Sequence, residues 1–421
     1  MKVLWFSLSP CGSIRRSNKQ RVIQGWMISL EDAVKSKCDI ELSVAFFSPI
    51  EEPPFFYEGV RYYPMYLPKP QNPLLRVFDR TRNPKTVDDK MLPVMLSVVN
   101  ESAPDLIHIH GTEERFGLIA EYVKEIPIVY SIQGLLAPYS EKYFSGMPDK
   151  EIYSLESIRD KLHFVSYRDE YKDFCYRAER EKRFLSQAQY VIGRTFWDEY
   201  ITGLFNPDRK YFLVDEILRS PFYTVQWHHK KNGRYQIIST ISGGIYKGYE
   251  VVLKTALLLQ SYSRVDFEWT IAGYDAESKY VKIAEKLTSI KSKNVNIIFK
   301  GRVNADELSE LLENSDLYVH VSHIENSPNS VCEAMLVGLP IIATYAGGTG
   351  SLLQNEKEGI LVQDGDPYIL AGAIMMMKLN PEKAAFLGAN ARKRALARHS
   401  AERILEQLVT AYNKILLDFR K

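Results

Sequence analysis

Cysteine is scarce in this chain: four residues in 421, Cys11, Cys38, Cys175 and Cys332, none at paired metal-ligand spacing. That excludes a dense disulfide framework and suits free thiols in a reducing interior. Excess charge is also missing. Lys and Arg number 54 against 52 Asp and Glu, a formal net charge of +2, so the chain is no broadly basic nucleic-acid binder and any basic surface is local. No apolar run is long enough to span a bilayer. The opening run Met1 to Phe6 is cut by Ser7, Ser9 and Pro10, which is short for a signal peptide and reads as a first buried strand. The loop that follows lacks a GxGxxG fingerprint, which counts against a dehydrogenase.

With 45% hydrophobic and 25% charged residues, the chain is not disordered, and its length exceeds what one hydrophobic core usually holds. Short apolar runs alternate with helical stretches: Val3 to Phe6, Ile40 to Phe47, Leu106 to His110, Ile128 to Ile132 and Tyr190 to Ile192, then Tyr235 to Ile241, Phe267 to Ala272, Val295 to Phe299, Leu317 to Val321 and Ile341 to Thr344. That rhythm predicts parallel sheets with helical crossovers, an α/β fold in two doubly wound domains. Pro49 to Pro84, rich in Pro, Tyr and Phe, is expected to be loops. The junction is expected between Val214 and Asn232, where Trp227 to Gly233 breaks the apolar periodicity. Domains at 1–225 and 226–398 result, followed by a helix at 399–421 with Ile404, Leu408, Ala411, Tyr412 and Ile415 on one face.

The densest chemical signal is Glu325-Asn-Ser-Pro-Asn-Ser-Val-Cys-Glu333, two carboxylates flanking a small polar loop directly after a strand-like run. Ser327 can cap a helix and Pro328 suits its first position, so the amides of Asn329, Ser330 and Val331 would face outward with the positive end of the helix dipole, which favours a diphosphate. The plainer alternative is a capping box, Ser330 to Glu333, in which the second carboxylate returns to the backbone. A second element, Ser242-Gly243-Gly-Ile-Tyr-Lys247-Gly248, lies between a strand and a helix, where glycine allows backbone to approach phosphate and Lys247 supplies a cation. Its alternative is an ordinary turn with a solvated lysine. Gly273-Tyr274 and Gly301-Arg302-Val303 follow further strands and would frame a nucleotide, Tyr274 either stacking near a base or standing exposed.

These segments resemble the retaining GT-B glycosyltransferases of family 4, whose two glutamates are separated by seven residues as Glu325 and Glu333 are. Asn314 to His320, Ala334 to Thr344 and Gly347-Gly348 extend the likeness, which is strong from about Tyr235 to Asp366 and looser before. The resemblance implies two Rossmann-like domains facing a cleft, with the last helix crossing back to the first. It implies transfer of a hexosyl unit from a nucleotide diphosphate sugar, with Glu325 orienting the sugar, Lys247 and the loop amides stabilising the departing diphosphate, and Glu333 holding the ribose. Relatives usually carry an arginine five residues before the lysine; Ser242 stands there, and Arg302, Arg194 and Arg219 are candidate substitutes.

In the first half, Asp105-Leu-Ile-His108-Ile-His110 puts two histidines on one strand face, and His110, nearest the strand end, is the candidate catalytic residue. His108 reads as a core residue. Relatives often have a histidine after the next strand; the matching position is Gln133, which can orient a hydroxyl but cannot act as a base. The N-terminal loop with Gly12, Arg15, Arg16, Lys19 and Arg21 corresponds to a family loop near acceptor and phosphates. Its cations can meet an anionic lipid-linked acceptor or an acidic membrane surface, or simply be a solvated face. Trp26 reads as core. Arg194 and the stretch Arg219 to Tyr223 are only loosely similar to segments of bacterial polysaccharide-assembly relatives.

Asp364-Gly-Asp366 imitates a metal-binding DxD but follows a strand-like run with Gly and Pro around it, and is expected to be a turn. No metal and no cofactor besides the donor is expected. The expected partners are a nucleotide sugar and a glycan or lipid-linked acceptor, with no nucleic acid. The expected location is cytoplasmic, with peripheral contact at the inner face of a membrane. Competing functions are a nucleotide-sugar epimerase, a glycan phosphorylase and a catalytically silent sugar-nucleotide binder or scaffold, the last favoured by Gln133 and Ser242.

Overall fold

The computed structural model describes residues 1–16, 25–37, 39–68, 84–156, 166–229, 233–263 and 265–421. The chain divides into two compact units: Met1–Ser140 with Glu156–Ile217 and Ser400–Lys421, and Leu218–His399 with the excursion Glu141–Leu155. Each is an α/β unit built on its own sheet.

The first unit holds β1 (Lys2–Phe6), β2 (Glu41–Ser48), β3 (Phe55–Tyr57), β4 (Val60–Tyr66), β5 (Leu106–His110), β6 (Ile128–Ser131), β7 (Tyr190–Gly193) and β8 (Lys210–Leu213), ordered β3-β4-β2-β1-β5-β6-β7-β8. All neighbours pair in parallel except β3 and β4. Sheet periodicity splits β1 between two cores. Val3 and Trp5 pack with Ile404, Leu408, Tyr412 and Ile415 of the last helix, Ala401–Phe419, while Leu4 and Phe6 pack with Met95, Ile107 and Ile109. Burying each of the aliphatic side chains among them stabilises the unit by about 1.5–3 kcal/mol. That helix starts where Ser400 accepts the Arg403 amide, and its buried face is the one its spacing predicts.

Pro49 to Pro84 departs from expectation. It contains β3 and β4, closed by Glu58 and Gly59 at positive φ (47° and 82°), and Val60, Tyr62, Tyr63 and Met65 are buried as β4 extends the sheet beside β2. Burial of these four side chains outweighs the prolines, and Pro64 sits within the strand. Residues 69–83 of that stretch lie outside the described residues, as do Lys19, Arg21, Cys38 and part of the junction, 230–232.

The second unit holds β9 (Tyr235–Thr240), β10 (Phe267–Ala272), β11 (Ile297–Gly301), β12 (Leu317–His320), β13 (Ile341–Thr344) and β14 (Ile360–Val362), all parallel in the order β11-β10-β9-β12-β13-β14. β11 begins two residues later than its apolar run suggests, because Ser292–Asn294 forms a turn and Asn296 has φ 58°. Among the described residues, no helix is long and apolar enough to cross a membrane.

Candidate active site

In the second sheet the strand order reverses between β9 and β12, the switch point at which open α/β sheets leave a crevice at the carboxyl ends of their strands. The glycine loop leaves β9 and the first glutamate leaves β12, so topology brings Lys247 to Glu325. Gly248 has φ 76°, and a Cβ there would collide with the Val321 carbonyl, so only glycine lets the two loops touch.

Lys247 Nζ forms an ion pair with Glu325 Oε1, the side chains being 21% and 12% exposed. Ser322 Oγ donates to the same oxygen at 3.3 Å, and His320 Nε2 stands 4.0 Å from it. Burial, the largest influence, would raise the Glu325 pKa, but Lys247 by charge and hydrogen bond, with His320 and the Ser322 bond, together outweigh it and hold the carboxyl below its ordinary value. Lys247 is held above its ordinary value in the same way: burial lowers it most, and Glu325 by charge and hydrogen bond together with Tyr246 overcomes that penalty. His320, buried, is pushed down to about 4 despite the carboxylate beside it, so its ring is neutral at pH 7. The Glu325 backbone is gripped from above. Gly348 N–H donates to the Glu325 carbonyl at 2.8 Å, and Gly347, at φ 56°, presses so close to that carbonyl that a Cβ would not fit.

The helix Asn329–Val337 begins with Pro328 as its N-cap, not with Pro328 in the first helical position behind a Ser327 cap. The Val331 N–H turns back onto the Pro328 carbonyl at 3.0 Å, leaving the Asn329 and Ser330 amides as the ones the first turn offers. Glu333, 3% exposed, takes both prongs of Arg219: Nε to Oε1 at 2.8 Å and Nη2 to Oε2 at 2.7 Å. Each carboxylate of the motif therefore faces its own cation, and neither partner was assigned from sequence.

Around this pair, Ser242 and Gly243 are exposed on the glycine loop, and Gly273, at φ 110°, lies against the Ile241 carbonyl. Arg302 is exposed and Val303 half-buried beyond β11. Tyr274 is neither exposed nor in an open stacking position: it is 4% exposed, stacks on Tyr280 and donates to the Gly244 carbonyl at 3.1 Å, bracing the loop. His323 bonds Glu250 through Nε2 at 2.7 Å and faces Asp364 through Nδ1 at 3.3 Å. Asp366 caps the helix Pro367–Leu379, so Asp364 to Asp366 is a turn in which both carboxylates are engaged. His320 and His323 carried no sequence signal beyond their place at a strand end.

In the first unit, the Gly12 amide donates to buried Glu31 at 3.0 Å. Arg15 forks onto Asp32 at 2.6 and 2.9 Å, and Arg16 lies over the Phe55 ring and 3.8 Å from Glu52. Both cations are thus already paired within the unit, a weaker basis for an anion site than their bare sequence suggests. His110 is 2% exposed, stacked on His108 at 3.8 Å and set edge-on to Trp5 and Trp26. Burial, then His108 and Arg194, hold its pKa well below the usual value. This is the setting of a neutral ring, and both of its nitrogens are buried without a hydrogen-bond partner among the described residues. His108 accompanies it, bonded to the Tyr412 hydroxyl at 2.6 Å. Arg194 covers Trp26 and sits 3.4 Å from Glu216, so it too is committed inside its own unit. Gln133 is half-buried beside Gly134, whose amide donates to Glu113 at 3.0 Å; next to them Glu181, bonded to Thr112 and the Ala137 amide, is raised by burial to about 8. Sequence reasoning passed over both acids.

Residues 225–394 match the family Glycosyl transferases group 1. The glycosyl transferases group 1 region thus contains Lys247, Glu325 and Glu333, with Arg219 just before it. The chain is 30% identical over 122 residues to N-acetyl-alpha-D-glucosaminyl L-malate synthase of Bacillus anthracis, covering 29% of this chain and 32% of that one. It is 26% identical to the capsular polysaccharide biosynthesis glycosyltransferase CapM of Staphylococcus aureus, covering 44% of each. The chain thus spans less than half the length of these two relatives. Across its whole length it is similar in fold to HepE of Anabaena, solved in complex with UDP and glucose, with a TM-score of 0.65, 19% identity and coverage of 98% and 99%. The fold is of the GT-B type.

Proposed function

We propose that the chain transfers a hexosyl unit from a nucleotide diphosphate sugar to a hydroxyl of a polysaccharide or lipid-linked glycan, with retention of anomeric configuration. One observation carries the reading: at the switch point of the second sheet, the two glutamates of the motif each face a cation, beside a glycine loop and a helix N-terminus. A helix N-terminus and a lysine favour an incoming diphosphate, and carboxylates favour the hydroxyls of sugar and ribose.

As the donor enters, Lys247 exchanges Glu325 for the diphosphate, and Glu325 accepts hydrogen bonds from the sugar. Negative charge grows on the leaving group as the glycosidic bond breaks. Lys247 and the Asn329 and Ser330 amides stabilise that charge more than the ground state, which is what accelerates transfer. Glu333 holds the ribose. The pairing of Lys247 with Glu325 keeps both groups ionised before the donor arrives. Ser242 contributes at most a hydroxyl. Support for the donor class comes from the UDP and glucose in the Anabaena structure, and support for a glycan acceptor from the capsular relative; the malate synthase relative makes a small acceptor the competing choice.

The test is a thermal-shift screen against nucleotide sugars, followed by mass analysis of products formed with lipid-linked glycans and with malate, and NMR of the new anomeric centre. Binding without any product in either acceptor series would leave a silent sugar-nucleotide binder as the correct reading.

A further inference from the structure

We propose that Arg219 is a positioning residue of the donor site: its guanidinium sets the Glu333 carboxylate to read the cis-diol of the donor ribose. The inference rests on the donor reading above. Its ground is the geometry of one fork. Nε and Nη2 of Arg219 meet Oε1 and Oε2 of Glu333 at 2.8 and 2.7 Å, so both carboxylate oxygens are fixed in one plane by a rigid planar partner. A carboxylate has about four acceptor positions, and the fork takes one on each oxygen.

Arg219 is itself held in place. Its guanidinium lies 4.9 Å from the centre of the fully buried Phe222 ring. The short helix behind it, Pro221–Thr224, is tied down on several sides. The Leu218 amide donates to the Tyr223 hydroxyl at 3.0 Å, that hydroxyl donates to the His399 carbonyl at 2.9 Å, and Arg392 donates to the Tyr223 and Val225 carbonyls at 3.1 and 2.8 Å. A long side chain anchored at its base and along its face loses little freedom when it orients a neighbour. The side chains of Arg219 and Glu333 are 15% and 4% exposed, so the pair is largely shielded from competing water. A lysine could supply the charge but not the planar fork.

Isothermal calorimetry with UDP, ADP and GDP, each against its 2′-deoxy counterpart, tests this on the full chain. Wild type is expected to prefer the ribo form of its nucleotide by about tenfold or more, as a site built for a hydroxyl does. R219K and R219Q are expected to weaken the ribo form by about tenfold while leaving the 2′-deoxy form nearly unchanged, so that the preference collapses. E333Q should do the same, and K247A should weaken both forms alike. Circular dichroism melts restrict the comparison to folded protein, and R219K, which keeps the stem and the charge, guards against loss of folding in R219Q. A preference lost in E333Q but retained in both Arg219 variants overturns the role of Arg219 alone. Wild type that binds none of the nucleotides overturns the donor reading, and this proposal with it.

Discussion

Lys247 and Glu325, 78 positions apart in the chain, form a mostly buried ion pair at the carboxyl ends of β9 and β12. Each sets the charge state of the other, which raises the lysine and lowers the carboxyl. In the proposed reaction the pair is a stability element and a reactive element at once, and the two roles are expected to separate by mutation.

K247A is expected to lower turnover by roughly a hundredfold or more, the scale of removing one preorganised charged donor. It should also destabilise the fold by about 3–5 kcal/mol, because Glu325 is left charged and largely buried. In K247A/E325Q the stability loss should shrink while turnover stays low. Urea melts and steady-state kinetics on the same preparations decide it; equal recovery of both would tie the activity loss to folding alone.

Gly347→Ala tests the grip on Glu325. A methyl at φ 56° is strained and meets the Glu325 carbonyl, so a loss of about 1–3 kcal/mol is expected, with weaker donor binding. Unchanged melting and unchanged donor KM would show that the 347–348 turn does not set the position of Glu325.

His323 supplies a pH dependence with a definite sign. Burial pulls its pKa down, but Glu250 and then Asp364 outweigh burial and raise it above 6.5. Lys142 stands 3.6 Å from Asp364 on the far side. A group raised in the folded state contributes stability that is full below its unfolded pKa and is lost as pH rises through its folded pKa. The stability difference between wild type and H323Q, measured by urea melts from about pH 5.5 to about pH 9, should therefore shrink on the alkaline side. A difference that grows with pH would contradict the assignment.

Because the proposed leaving-group stabilisation comes from Lys247 and backbone amides, transfer should survive exhaustive chelation with no more than about a twofold loss. Complete loss, restored by a divalent cation, would require a metal in the mechanism.

Much of this was legible in the residues. Strands β5, β10 and β13 lie where their apolar runs place them, since strands buried on both faces are near-continuous hydrophobic segments. β3, β4 and β8 were missed because they are short or rich in Tyr and Pro, and only pairing with a neighbour makes them strands. His110 stood out from its place at a strand end, but its packing was not legible there. Which way a strand face points, toward a crevice or into a core lined by Trp5 and Trp26, is decided by the helices packed over it.

The sequence by itself determined the glycine turns, the run of strands and the spacing of Glu325 and Glu333, because backbone conformation and hydrophobic period are local properties. Only the tertiary structure decided which cation each glutamate meets. Arg219 and Glu333 lie 114 positions apart, and ion-pair partnership depends on distance in space, which the order of strands in the sheet and the anchoring of one short helix create.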